Sequence, residues 1–163
     1  MADRIREKHD GALAGRMDVR VWLRLLSCST IIEKRLRRRF TEQYATTLPR
    51  FDVLAMLERH PEGVTMGALS RTLLVSNGNV TALVRQLEAA GLASSRPAAG
   101  DARSSIVALT EQGRVHFAEL ADAHHGWIGA MFAGMSREDQ VALYGLLATL
   151  KLSIGAEVPQ EPA

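Results

Sequence analysis

From Asp18 to about Tyr44 the chain contains neither Gly nor Pro, and its apolar positions predict one long helix whose character changes halfway. In the first half Val19, Val21, Trp22, Leu23, Leu25 and Leu26 surround the axis, whereas the second half keeps a stripe of Ile32, Leu36, Phe40 and Tyr44. A helix that is apolar all round needs cover on several sides, which a small domain can rarely supply alone. Pro49 suits the start of a second helix, whose core face is Phe51, Leu54, Ala55 and Leu57 and which stops at the Pro61–Gly63 turn. Thr65 can cap a third helix with Leu69, Leu73 and Leu74 facing inward, and Val75-Ser76 makes a tight connection into a fourth.

The fourth helix takes Ser76 as N-cap, places Val80, Leu83, Val84 and Leu87 at i, i+3, i+4 and i+7, and ends at Gly91. Its other side carries Asn77, Thr81, Arg85 and Glu88 at near-helical spacing. Beyond Gly91 the helical period is lost. Leu92–Pro97, the turn Ala98–Ala102 and Arg103–Leu109 predict a two-stranded wing. Thr110 and Gly113 then precede a fifth helix with Val115, Phe117, Leu120, Trp127, Ile128 and Met131, bent at Gly126. Ser136 opens a last helix, in which Val141, Tyr144, Leu147, Leu150 and Ile154 are spaced for burial.

The fold class that follows is mainly α with a small β-wing: a winged helix-turn-helix at 47–110, with helices at 18–46 and 111–155 left to dimerise. A flexible segment 1–17 and a disordered tail 156–163 complete the chain. Length and composition agree with one domain plus extensions, since 163 residues are 47% hydrophobic and 23% charged. A net charge of +2 permits an anionic partner without requiring one. The single Cys28 excludes an internal disulfide framework and fits a reducing cytoplasm, and no Cys/His cluster offers a metal site. The polar start and the lack of a long apolar run argue against a signal peptide or a membrane span, so the expected location is cytoplasmic.

An α-helix fits the DNA major groove and reads base edges through Asn, Arg and Thr, which makes Asn77 and Arg85 candidate contacts; the competing reading is a solvated helix face. In the wing, Asp101 can fix the loop while Arg103 projects toward a narrow minor groove, where negative potential is concentrated. The competing reading there is an ordinary surface pair worth at most about 1 kcal/mol.

Leu69-Ser70-Arg71, Ser76-Asn77-Gly78-Asn79-Val80-Thr81, Leu87-Glu88-Ala89-Ala90-Gly91-Leu92, Asp101-Ala102-Arg103-Ser104 and Leu109-Thr110-Glu111-Gln112-Gly113, in this order and spacing, resemble the MarR family. The resemblance covers about Asp18 to Ile154 and implies an obligate homodimer with interlocked terminal helices, binding duplex DNA at a pseudo-palindromic operator. It maps the family's Asp-x-Arg wing motif onto Asp101 and Arg103 and the recognition helix onto Asn77–Ala90. Ala102 stands where the family often has a basic residue, so one phosphate contact is expected to be missing. The DNA-contacting set expected on these grounds is Ser76, Asn77, Asn79, Thr81, Arg85, Arg96, Asp101, Arg103 and Ser104.

Trp22-Leu23-Arg24-Leu25-Leu26, Thr47-Leu48-Pro49-Arg50-Phe51-Asp52 and Val75-Ser76-Asn77-Gly78-Asn79-Val80-Thr81 are further similar to family members that control aromatic-acid and hydroxycinnamate catabolism, some sensing the free acid and others its coenzyme A thioester. Such a sensor needs an apolar slot for the ring and a cation for the anionic part. Trp22, Leu26, Phe51 and Met56 are candidates for the first, Arg24 or Arg50 for the second, and His124 for the pocket lining or a contact across the dimer. Trp22 and Phe51 read equally as core anchors, and His116, His124 and His125 as solvated or partly buried side chains. The run Lys34-Arg35-Leu36-Arg37-Arg38-Arg39 is a solvated face, an approach to the DNA backbone, or a seat for coenzyme A phosphates.

The expected function is a ligand-released repressor. Two alternatives are a repressor that senses thiol oxidation through Cys28, set against Cys28 as a small packed residue, and a helical interaction protein that ignores DNA. An enzyme is disfavoured because the chain has no Gly-rich phosphate loop, nucleophile elbow or plausibly sited carboxylate pair, and no cofactor or metal is expected.

Overall fold

The computed structural model describes residues 16–73, 77–98 and 101–156, without the side chains of residues 77, 101–104 and 156. The elements are α1 (Met17–Tyr44), α2 (Leu48–Glu58), β1 (Val64–Thr65), α3 (Met66–Leu73), α4 (Asn77–Ala89), β2 (Ala93–Ala98), β3 (Asp101–Leu109), α5 (Glu111–Phe132) and α6 (Arg137–Ala156). Most of the flexible segment expected at 1–17 and of the tail expected at 156–163 lies outside the described residues, although Met17 and Ala156 are already helical. Leu74, Val75 and the expected cap Ser76 also lie outside them. The fold divides within α5 into two compact units, one ending at His125 and the other beginning at Gly126.

The first unit is organised around apolar stripes that the helical period lines up. Leu54 and Leu57 of α2, Leu69 of α3, Val80 and Leu87 of α4 and Val107 of β3 are fully buried. α1 joins this core only through its second half, where Leu36 and Phe40 are buried. It stops at Ala45, which adopts a left-handed φ of 49°, while the Thr46 N–H donates to the Phe40 carbonyl at 3.3 Å. Thr47 then caps α2 by accepting from the Arg50 N–H at 3.4 Å, and the proline of the first turn has no N–H to leave unsatisfied. This corner seats Phe51 against Phe40, with ring centroids 4.8 Å apart. Thr65 caps α3 as expected, accepting from the Ala68 N–H at 3.2 Å.

The wing is larger than its expected two strands. β1, β3 and β2 form an antiparallel sheet in that order, with Val64 opposite Val107 and Val107 opposite Ser95. A two-residue strand such as β1 carries no readable alternation, so it was invisible in the sequence. Both wing strands also run further than expected: β2 reaches Ala98 and β3 begins at Asp101, which pairs with Ala98, and residues 99 and 100 lie outside the described residues. The register shifts between Pro97 and Ala98, at a residue that cannot donate to a ladder.

One junction ties α4, the wing and α5 together. Gly91, at φ 71°, ends α4 in a Schellman turn: Leu92 N–H donates to the Leu87 carbonyl and Gly91 N–H to the Glu88 carbonyl, each at 2.9 Å. The Leu92 carbonyl accepts from the Thr110 N–H at 3.1 Å. The Thr110 hydroxyl donates to the Gly91 carbonyl at 2.6 Å and accepts from the Gly113 N–H at 3.0 Å, capping α5. Gly113 therefore lies inside the first turn of α5 rather than before it, and a Cβ there would come within 1.9 Å of the Leu92 carbonyl oxygen. α5 continues through Gly126 without interruption, and Val115 points to solvent.

In the second unit Ser136 starts α6 as expected. It accepts from the Asp139 N–H at 3.0 Å, and its hydroxyl donates to the Asp139 carboxylate at 2.8 Å. Val141, Tyr144, Leu147 and Ile154, which are spaced for burial, are exposed in the single chain.

Because no side chain fits between α5 and the Leu92 carbonyl, Gly113→Ala is expected to destabilise the winged-helix unit by about 3 kcal/mol or more. Urea unfolding of the variant checks this, with Gly129→Ala, where a Cβ meets nothing within 4 Å, as the control.

Candidate nucleic-acid interface

The buried stripe of α4 fixes which of its side chains face outward. With Val80, Val84 and Leu87 in the core, Gly78, Asn79, Ala82, Arg85, Gln86 and Ala89 form the exposed face, and Thr81 stands at its half-buried flank. Arg85 and Asn79 thus lie on the open side. Gln86 joins them, although following the polar residues Asn77, Thr81, Arg85 and Glu88 passed it over; projecting away from the apolar stripe finds it. The small residues Gly78, Ala82 and Ala89 among them leave the helix backbone open to close approach, and a Cβ on Gly78 would meet nothing within 4 Å. A helix face of this kind, with one cation and amide side chains over a low floor, can present donors and acceptors to base edges.

The wing stands beside this helix, and two of its side chains point back into the protein. Ser95 Oγ donates to Glu88 Oε1 of α4, and Arg96 Nη2 donates to the Glu62 carbonyl in the α2–β1 turn at 3.1 Å. Glu88 is therefore engaged by the wing root, and the guanidinium of the expected DNA contact Arg96 is held at least in part by the protein itself. Asp101, Arg103 and Ser104 belong to β3 by their backbone, and Asn77 opens α4; their side chains are outside the description, as is Ser76 altogether.

The expected effector residues separate into two groups. Phe51 is buried and meets Phe40 at 4.8 Å, Phe117 at 5.7 Å and His124 at 4.8 Å, so α1, α2 and α5 share one aromatic cluster. Burial holds the His124 imidazole below the ordinary histidine pKa, with neighbouring His125 acting in the same direction. Met56 is half-buried, and Arg50 is half-buried with its Nε sealed from solvent and lacking a hydrogen-bond partner among the described residues. Trp22 and Arg24 are exposed and Leu26 is half-buried on the first half of α1. At about 1.5 Å per residue, Trp22 lies roughly 27 Å along α1 from Phe40, so a single chain does not bring it to Phe51 and His124.

The basic run is partly neutralised on its own helix. Arg37 pairs with Glu33, and Arg38 with Glu42 at 3.8 Å, while Lys34 and Arg35 are exposed. Asp52 of α2 is half-buried beside that first pair: burial raises its carboxyl pKa, Arg37 pulls it down and Glu33 pushes it up. Cys28 is exposed on α1. No described helix is long and apolar enough to cross a membrane.

An outward polar helix packed beside a three-stranded wing, with long helices on either side in the chain, defines a winged-helix protein. Residues 46–104 match the model of the MarR family. The transcriptional activatory protein BadR of Rhodopseudomonas palustris is 32% identical over 109 residues, which span 64% of this chain and 62% of BadR. Among solved structures, a MarR family transcriptional regulator from Silicibacter pomeroyi is 29% identical with a TM-score of 0.72, the match covering 85% of this chain and 96% of that one. Two others share the fold: Streptococcus pneumoniae FabT in complex with DNA (TM-score 0.70, 20% identity, 85% of this chain and 98% of FabT) and Rhodococcus jostii CouR bound to p-coumaroyl-CoA (TM-score 0.70, 19% identity, 86% and 95%). Family model, relative and fold agree in likening the chain to the MarR family, and the fold it shares with these structures is that of a winged-helix protein.

Since His124 has a lower pKa in the folded protein than in the unfolded chain, the unfolded chain takes up that proton first as pH falls. The resulting loss of stability is absent well above pH 6.5, grows as pH drops through about 6.5, and is complete below the folded-state value. Thermal melts between pH 8 and pH 5 are expected to show a smaller decline for His124→Phe than for the wild type.

Proposed function

We propose that the chain is a homodimeric DNA-binding repressor, released from a pseudo-palindromic operator by a small aromatic acid or its coenzyme A thioester. The observation that carries the DNA-binding part is the exposed face of α4, with Asn79, Arg85 and Gln86, set beside the wing in a fold shared with FabT, whose structure was solved with DNA. α4 enters the major groove, and the wing, with Arg103 near its tip, follows the adjacent minor groove. Dimerisation draws support from large apolar side chains that stand exposed among the described residues: Trp22 is 55% exposed, Tyr144 78% and Leu152 77%.

The effector reading rests on Arg50, whose buried Nε has no hydrogen-bond partner among the described residues, and on the aromatic cluster of Phe40, Phe51, Phe117 and His124 beside the α1–α2 corner. An arginine of that kind answers the carboxylate of an aromatic acid or a phosphate of the coenzyme A in its thioester. CouR, of the same fold, was solved with an aromatic coenzyme A thioester. In this reading Trp22 and Arg24 reach the ligand only from a second copy. An activating role is the second reading of the sign, because BadR is described as an activatory protein.

Mobility-shift titration on the DNA upstream of its own gene tests the proposal. The expected result is sequence-specific binding that weakens steeply between low and moderate salt and is released by an aromatic acid or its thioester, with Arg50→Gln raising the ligand concentration required. Specific binding that no such compound releases overturns the effector reading, and no specific binding overturns the whole.

A further inference from the structure

Ser95 and Arg96 are consecutive residues of β2, and along a strand consecutive side chains point to opposite faces. Each reaches a different neighbour. Ser95 Oγ donates to Glu88 Oε1 on the last turn of α4, while Arg96 Nη2 donates at 3.1 Å to the Glu62 carbonyl, in the turn that leads into β1. The backbone already binds the same place from the sheet side, because Ser95 pairs with Val107 and Val107 with Val64. The root of the wing is thus fastened to the helix on one face and to the α2–β1 turn on the other. Beyond that root the register shifts at Pro97, so the outer wing inherits its direction from the part below it.

We propose that Glu88 and Ser95, backed by Arg96, are positioning residues that set the angle of the wing against the α4 reading face and so the reach of the wing tip into the minor groove. The proposal rests on the DNA-binding reading above. Glu88 also carries the only carboxylate of α4, and the Ser95 hydroxyl occupies it at the base of the wing instead of leaving it turned toward phosphates. Sequence alone placed Glu88 in the DNA-facing row and Arg96 among the DNA contacts; the geometry gives both a use inside the protein.

The experiment measures affinity for an upstream fragment, and its salt dependence, for wild type, Ser95→Ala, Glu88→Ala, Glu88→Gln and Arg103→Ala, and for Arg103→Ala combined with Ser95→Ala. Circular dichroism melts of each variant confirm folding. Ser95→Ala removes the donor and leaves the carboxylate unpaired, so it is expected to weaken binding about three- to ten-fold, the range of a single lost hydrogen bond. Glu88→Gln keeps an acceptor for Ser95 and sheds the charge, so it should bind at least as tightly as wild type, whereas Glu88→Ala should bind more weakly than Glu88→Gln. Arg103→Ala should cost much less in the Ser95→Ala background than alone, because a displaced wing has already lost its groove contact. Equal affinities for wild type and Ser95→Ala, or full additivity with Arg103→Ala, would overturn the positioning role while leaving DNA binding intact. A wild type that binds no DNA would overturn the reading beneath it.

Discussion

At the Leu92 carbonyl, three elements meet at distances that leave no slack. α4 ends there through the left-handed Gly91, β2 begins there, and α5 is capped there by Thr110, with Gly113 so close that only hydrogen fits at its Cα. The relative placement of α4, the wing and α5 follows from this contact. The Schellman turn fixes where α4 stops, the Thr110 bonds fix where β3 hands over to α5, and the strands between them form a loop whose two ends are held together. A recognition helix and a wing can act on one duplex only if their relative position is set before binding, and this junction sets it with backbone groups and two glycines rather than with a large core.

The side-chain fastening at the wing root extends the same logic outward. The backbone junction holds the base of β2; Ser95 and Arg96, two and three residues further on, hold its next stretch against α4 and the α2–β1 turn. Residues that look from sequence like ligands for DNA are partly spent on keeping the scaffold in register. The aromatic cluster around Phe51 plays the corresponding part at the other side of the unit, packing the end of α1 against α2 and α5.

Much of this was legible in the sequence. The helices announced themselves through the stripes of Leu36 and Phe40, of Leu54 and Leu57, and of Val80, Val84 and Leu87, and the caps Thr65 and Ser136 and the stop at Gly91 lie where the sequence placed them. Three things were not legible. β1 is too short to show a period; Gln86 was passed over because polarity was followed rather than the projection from the buried stripe; and hydrogen bonds between residues distant in the chain, such as Arg96 to the Glu62 carbonyl, leave no mark in composition. The effector residues show the limit most clearly. Trp22 and Phe51 are equally apolar in sequence, yet one is exposed on the first half of α1 and the other is buried against Phe40.

The central claim is that α4 and the wing act together on a duplex, and hydroxyl-radical footprinting of the protein on its upstream DNA tests it most directly. The account predicts two protected blocks per strand related by a dyad, each with a major-groove segment and a flanking minor-groove segment that disappears in Arg103→Ala. Protection confined to a diffuse, sequence-independent pattern, unchanged by that substitution, would contradict it.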